Sequence, residues 1–94
     1  MGVLDTLTNS FSTIATGLTG YGKFIGAAVV GSKVYFAPYN QDNVGVVDTA
    51  TNSFSSIGTN LTGDYKFRSA VAARYDIFFV PSGSAIVGIG KLSL

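Results

Sequence analysis

Shifted by 43 residues, the chain lies on itself without a gap: Gly2 falls on Gly45, Asp5 on Asp48, and Asn9-Ser10-Phe11 on Asn52-Ser53-Phe54. Farther along, Leu18-Thr19-Gly20 meets Leu61-Thr62-Gly63, Lys23-Phe24 meets Lys66-Phe67, Phe36 meets Phe79, and Pro38 meets Pro81. Nearly half of the compared positions are identical. Agreement of this kind marks an internal duplication. Whatever one unit folds into, the 94-residue chain must fold into twice, side by side. The first repeat covers residues 2–43 and the second 45–86, while 87–94 align on 44–51 as a truncated third copy. Residues 1–94 are therefore expected to form a single unit of two repeats.

One unit reads as four short strands. Phe24–Val30 (FIGAAVV) is apolar and built from small and β-branched residues, and Gly31-Ser32 marks a turn. Lys33–Pro38 (KVYFAP) has the β-branched and aromatic content of a strand, and Tyr39-Asn40-Gln41-Asp42-Asn43 is a polar loop. Residues 44–48 form a third strand, 49–52 a turn, 53–57 an alternating fourth strand, and 58–65 a Gly/Thr loop into the next copy. No stretch keeps a helical period, so no substantial helix is expected. Four strands in about 40–45 residues match one four-stranded antiparallel blade of a β-propeller. Small residues suit the innermost strand, where blades crowd: Gly26, Ala27 and Ala28, then Ser69 and Ala70. A two-sheet sandwich of eight strands is the rival, but a sandwich has no need of a gapless repeat.

The run Val34-Tyr35-Phe36, a polar loop, then Val46-Val47-Asp48-Thr49-Ala50-Thr51-Asn52 resembles the YVTN family of propeller repeats. That family joins a V-Y-V-x-N strand to a V-x-V-I-D-T-A-T-N run. The resemblance covers both copies, more weakly in the last strand, where IVGIGKLSL has lost the Asp-Thr. It implies the propeller fold and a scaffold of the kind used by surface or redox-associated proteins. It implies no catalytic residue in the repeat itself.

Two blades are not a closed ring. The chain is 47% apolar and only 12% charged, about half the usual charged fraction. A domain this small buries a limited share of its surface, so a second chain is expected to cover part of it. Closed propellers hold about four to eight blades. Identical two-blade chains then close as dimers, trimers or tetramers, and the six-bladed trimer is the expected homo-oligomer. Naming the strands A to D from the inside, the chain runs C, D, A, B, C, D, A, B, C. The D strand at 10–14 is expected to complete the second blade of a neighbouring chain by strand exchange, hiding an edge. Strand C is then supplied twice, by Gly2–Asp5 and by 86–90, and one copy has to give way.

The residue set narrows the chemistry. There is no Cys, His, Glu or Trp, which removes thiolate chemistry and the commonest general base and metal ligand. No cofactor and no metal site are expected. A net charge of +1 makes no case for nucleic acid as a partner. MGVLDT lacks the basic and apolar regions of a signal peptide, and the apolar runs are too short for membrane insertion. The sequence is that of a soluble chain whose compartment it does not assign. The expectation is a non-enzymatic binding or scaffold module. The alternative is an enzyme, or a metal or ligand site, formed only at the ring axis by symmetry-related Asp and Lys.

Asp5 and Asp48 read as turn residues whose side chains satisfy backbone N–H groups, with Asn9 and Asn52 accepting positive φ. Phe11, Phe36, Phe54 and Phe79 recur with the repeat and read as inter-blade core. The candidate ligand-binding residues lie on one loop face: Tyr21, Lys23, Tyr39, Asn40, Asp42, Asp64, Tyr65 and Lys66. Tyr, Asn, Asp and Lys together suit a carbohydrate or a short peptide.

Overall fold

The computed structural model describes residues 1–91, an all-β chain with nine strands and no helix in that range. Leu92, Ser93 and Leu94, the end of the expected third copy, lie outside the described residues. Strands β1 (Gly2–Asp5) and β2 (Ser10–Thr13) form a two-stranded hairpin. Strands β3 (Phe24–Val30), β4 (Lys33–Pro38), β5 (Asn43–Asp48) and β6 (Ser53–Gly58) form a four-stranded sheet in chain order. Strands β7 (Phe67–Ala73), β8 (Asp76–Pro81) and β9 (Gly88–Lys91) form a three-stranded sheet in the same manner. Every pairing is antiparallel. The last strand starts two residues later than the apolar pattern suggests, because Ser82 to Val87 are taken up by the loop after β8.

Tight connections between β-branched strands make these meanders, and the turns explain their sequence. Asp5 Oδ1 accepts from the Leu7 N–H at 2.9 Å, and Asp48 Oδ1 accepts from the Ala50 N–H at 2.9 Å. Asn9 and Asn52 sit at φ 56 and 54, the left-handed conformation that Asn tolerates. Thr49 ties this turn to the one between β3 and β4, donating from both its N–H and its hydroxyl to the Ser32 carbonyl. Thr51 and Ser53 hydroxyls share a 2.7 Å bond, as Thr8 and Ser10 do. The Asp residues are thus turn residues.

The registers recur at the repeat spacing. Phe24 pairs with Pro38 and Ala27 with Phe36; Phe67 pairs with Pro81 and Ala70 with Phe79. Both inner strands carry a bulge just after the Phe. In the first, Gly26 bends at φ 73, and a Cβ there would lie 3.0 Å from the Ser69 Cα. Small residues on β3 therefore let its backbone meet that of β7.

Each larger sheet has two faces, because side chains alternate along a strand. Call the face bearing Phe24, Phe36, Gly45 and Phe54 the front of the four-stranded sheet. Its rear bears Ala28, Tyr35, Val44 and Val46. The core forms where this rear meets the front of the three-stranded sheet, which bears Phe67, Ala70, Ile77 and Phe79. Phe67 and Phe79 lie 5.9 Å apart, and each contributes about 1.5–3 kcal/mol by leaving water. On the other front, Phe24 sits 5.9 Å from Phe36 and 6.3 Å from Phe54. Those rings close over Gly45, where a Cβ would come within 2.9 Å of Phe24.

Phe11 departs from its expected place. It is 70% exposed rather than core, because its hairpin holds only β1 and β2, where it stands opposite Leu4 with its ring close to Gly2.

Candidate functional site

Four connecting segments meet at one edge of the two larger sheets. The hub is the loop between β4 and β5. Its Tyr39 and Gln41 N–H groups donate to the Lys23 carbonyl at 3.0 and 3.3 Å, and the Asn40 N–H donates to the Gly22 carbonyl at 3.1 Å. On the other side, the Lys66 N–H donates to the Tyr39 carbonyl at 2.9 Å. The Ser82 N–H then donates to the Lys66 carbonyl at 2.9 Å, and the Gly83 N–H donates to the Tyr65 carbonyl. The chain between β2 and β3, the hub, the β6–β7 loop and the loop after β8 are linked in that order.

The expected site residues divide into latches and exposed groups. Asn40 donates from Nδ2 to the Tyr21 carbonyl at 2.8 Å and accepts at Oδ1 from the Tyr65 N–H at 3.1 Å. One amide thus joins two loops. Tyr39 and Tyr65 meet edge to face with ring centres 5.1 Å apart, a geometry favoured by the ring quadrupoles. Lys66 is 4% exposed; its ammonium donates to the Gly63 carbonyl and lies 3.2 Å from Asp42 Oδ1. Asp42 itself is exposed, so solvent screens the pair. Lys23 makes the matching bond to the Gly20 carbonyl at 2.9 Å. Among the described residues Lys23 forms no ion pair of the Lys66–Asp42 kind.

Tyr39, Asn40, Tyr65, Asp42 and Lys66 are therefore brought together and largely spent on one another. Tyr21 and Asp64 stand exposed at the same edge. Gln41 belongs with the latches: its Nε2 donates to the Thr19 carbonyl at 3.0 Å. A signal for it exists in the sequence, since Asn40-Gln41 stand where the second copy has Gly83-Ser84. A polar pair present in only one copy marks a place where the two units are used differently. No group of three acidic side chains gathers among the described residues.

Two apolar clefts flank the four-stranded sheet. One, of about 300 Å³, is bounded by Met1, Thr16, Lys23 and the Phe24, Phe36 and Phe54 rings. The other, of about 390 Å³, lies between the two larger sheets and includes Val44, Thr59, Phe67, Phe79 and Gly88. Met1, Thr16, Phe24 and Phe36 correspond in the repeat to Val44, Thr59, Phe67 and Phe79. The clefts are the same space in successive units, except that only the first has a third ring.

No family model matches the chain, and neither a curated protein nor a solved structure matches it.

Proposed function

We propose that the chain is a non-enzymatic module that builds a closed β-propeller with further copies of itself, three chains to a ring of six blades, and serves as a scaffold or binding platform. One observation carries this reading. Ala28, Ala37, Val44 and Val46, on the rear of the four-stranded sheet, are each at most 7% exposed because the next sheet covers them. Three of their repeat counterparts, Val71, Val80 and Ile89 on the rear of the three-stranded sheet, are 38–57% exposed, and the fourth, Val87 in the loop before β9, is 55% exposed. The front of the four-stranded sheet is uncovered in the complementary sense: Phe24, Phe36 and Phe54 are only half-buried where Phe67 and Phe79 are buried.

One chain thus presents both halves of an interface that it already contains internally. Such a head-to-tail contact closes into a ring if the rotation per step allows it. The resemblance to YVTN repeats supports a propeller as the closed form. The loop edge with Tyr21, Asp64 and Tyr65 would then recur three times around one mouth of the ring, suited to a carbohydrate or a peptide. Negative-stain electron microscopy of the purified chain tests the reading. Ring-shaped particles with threefold symmetry are expected; isolated small particles or open filaments would count against it.

A further inference from the structure

We infer that the three-stranded sheet receives β2 of a second copy along its β9 edge, with Phe11 of that copy seated beside Phe67 and Phe79; this rests on the self-assembly proposed above. In the four-stranded sheet the place next to β5 is taken by β6, whose first four residues, SFSS, differ from the SFST of β2 at one residue. Among the described residues the corresponding place next to β9 is open. Strand β9 meets β8 as β5 meets β4: Phe79 pairs with Gly88 and Phe78 with Ile89, as Phe36 pairs with Gly45 and Tyr35 with Val46. A strand laid on β9 in the β5–β6 register sets Thr13 opposite Gly88, Ser12 opposite Ile89 and Phe11 opposite Gly90.

The ring geometry asks for that strand. Phe24, Phe36 and Phe54 make a trio over Gly45, whereas Phe67 and Phe79 make a pair over Gly88. The cleft beside the pair is open where the third ring would stand. Phe11, the counterpart of Phe54, is an exposed ring with nowhere in its own hairpin to go. The connection also fits. Strand β6 runs through the 59–66 loop into β7, which packs behind its sheet, and β2 runs through the equivalent segment into β3. Donating β2 therefore brings the donor's four-stranded sheet, front first, onto the exposed rear face of the acceptor's three-stranded sheet.

Charge decides which strand lies under the donated one. In its own chain β2 pairs with β1 in the same register, Gly2 opposite Thr13. The same edge of β2 cannot serve β1 and β9 together. Either β2 leaves β1 for β9, or the whole hairpin enters and displaces β9 from β8. The second course sets Asp5 opposite Asp76, a like-charged cross-strand pair. Retaining β9 keeps Lys91 opposite Asp76, with Nζ 3.7 Å from Oδ1, as Lys33 stands opposite Asp48 in the four-stranded sheet. Hence β9 stays and β1 is released.

Cysteine pairs in this cysteine-free chain test the seam. The double variant Ser12→Cys/Ile89→Cys, treated with a short bis-maleimide, is expected to give covalent dimers and trimers on a denaturing gel. The double variant Val3→Cys/Phe78→Cys is expected to stay single. Linking through Val3 and Phe78, or an oligomer that links through neither pair, overturns the seam but leaves self-assembly standing. A chain that is monomeric by mass overturns self-assembly itself. Phe11→Ala, whose ring contributes little to its own hairpin, is expected to raise the dissociation constant of the assembly at least tenfold; an unchanged constant would remove Phe11 from the seam.

Discussion

At the level of single residues, the two copies form a controlled comparison. The turn between β3 and β4 uses Gly31 at φ 58, and the equivalent turn between β7 and β8 puts Arg74 at φ 56. A left-handed conformation costs a non-glycine residue about 1–2 kcal/mol. Arg74→Gly is therefore expected to stabilise the chain by about 1 kcal/mol after the added freedom of the unfolded glycine is deducted. Urea denaturation reads this directly, and a destabilised variant would show that the Arg74 side chain does more than the backbone suggests. Gly45 makes the opposite case. A Cβ there enters the space of the Phe24 and Phe54 rings, at 2.9 and 3.1 Å. Gly45→Ala should lower stability by about 1–3 kcal/mol, the usual penalty of overpacking; a neutral result would mean that the aromatic trio can spread. The turn roles of Asp48 and Asn52 are legible in the sequence, because Asx residues bond to nearby backbone where the chain reverses. Phe11 was not, since repetition says which positions are equivalent and cannot say whether each copy finds a neighbour.

Among the elements, the strands followed the sequence closely. Alternating β-branched and aromatic residues broken by Gly-Ser and Thr-Asn turns leave few other registers open, so β3 to β6 fall within a residue of their expected bounds. The bulge at Gly26 was hidden, because a glycine in a strand announces only that backbone freedom is wanted, not which backbone comes close. The loop cluster was half visible. Its residues were recognisable as polar and unequal between copies, but sequence alone does not separate a latch from an open binding group. Asn40 shows the difference, spending both ends of its amide on Tyr21 and Tyr65. Asn40→Ala is expected to cost about 1–3 kcal/mol by orphaning those partners, and to speed hydrogen exchange at the Tyr65 amide more than at strand amides. Exchange unchanged at Tyr65 would show that the tyrosine pair alone holds the loops. At this edge Tyr21, Asp64 and Tyr65 keep exposed surface.

For the whole molecule, the decisive feature is the unequal cover of equivalent sheet faces. The rear of the four-stranded sheet is covered, the rear of the three-stranded sheet is bare, and the residues concerned are equivalent. Ile89→Asp places a charge at a position that is 57% exposed and outside the buried core cluster. It is expected to leave the β-sheet circular dichroism spectrum in place while reducing the particle to a single chain. An assembled Ile89→Asp variant would move the interface elsewhere. The account stands most directly on the mass of the unmodified chain in solution, measured by multi-angle light scattering behind size exclusion. Three times the 9.7 kDa chain mass is predicted, constant through the peak and on dilution. A folded, monodisperse species at the mass of one chain would contradict it.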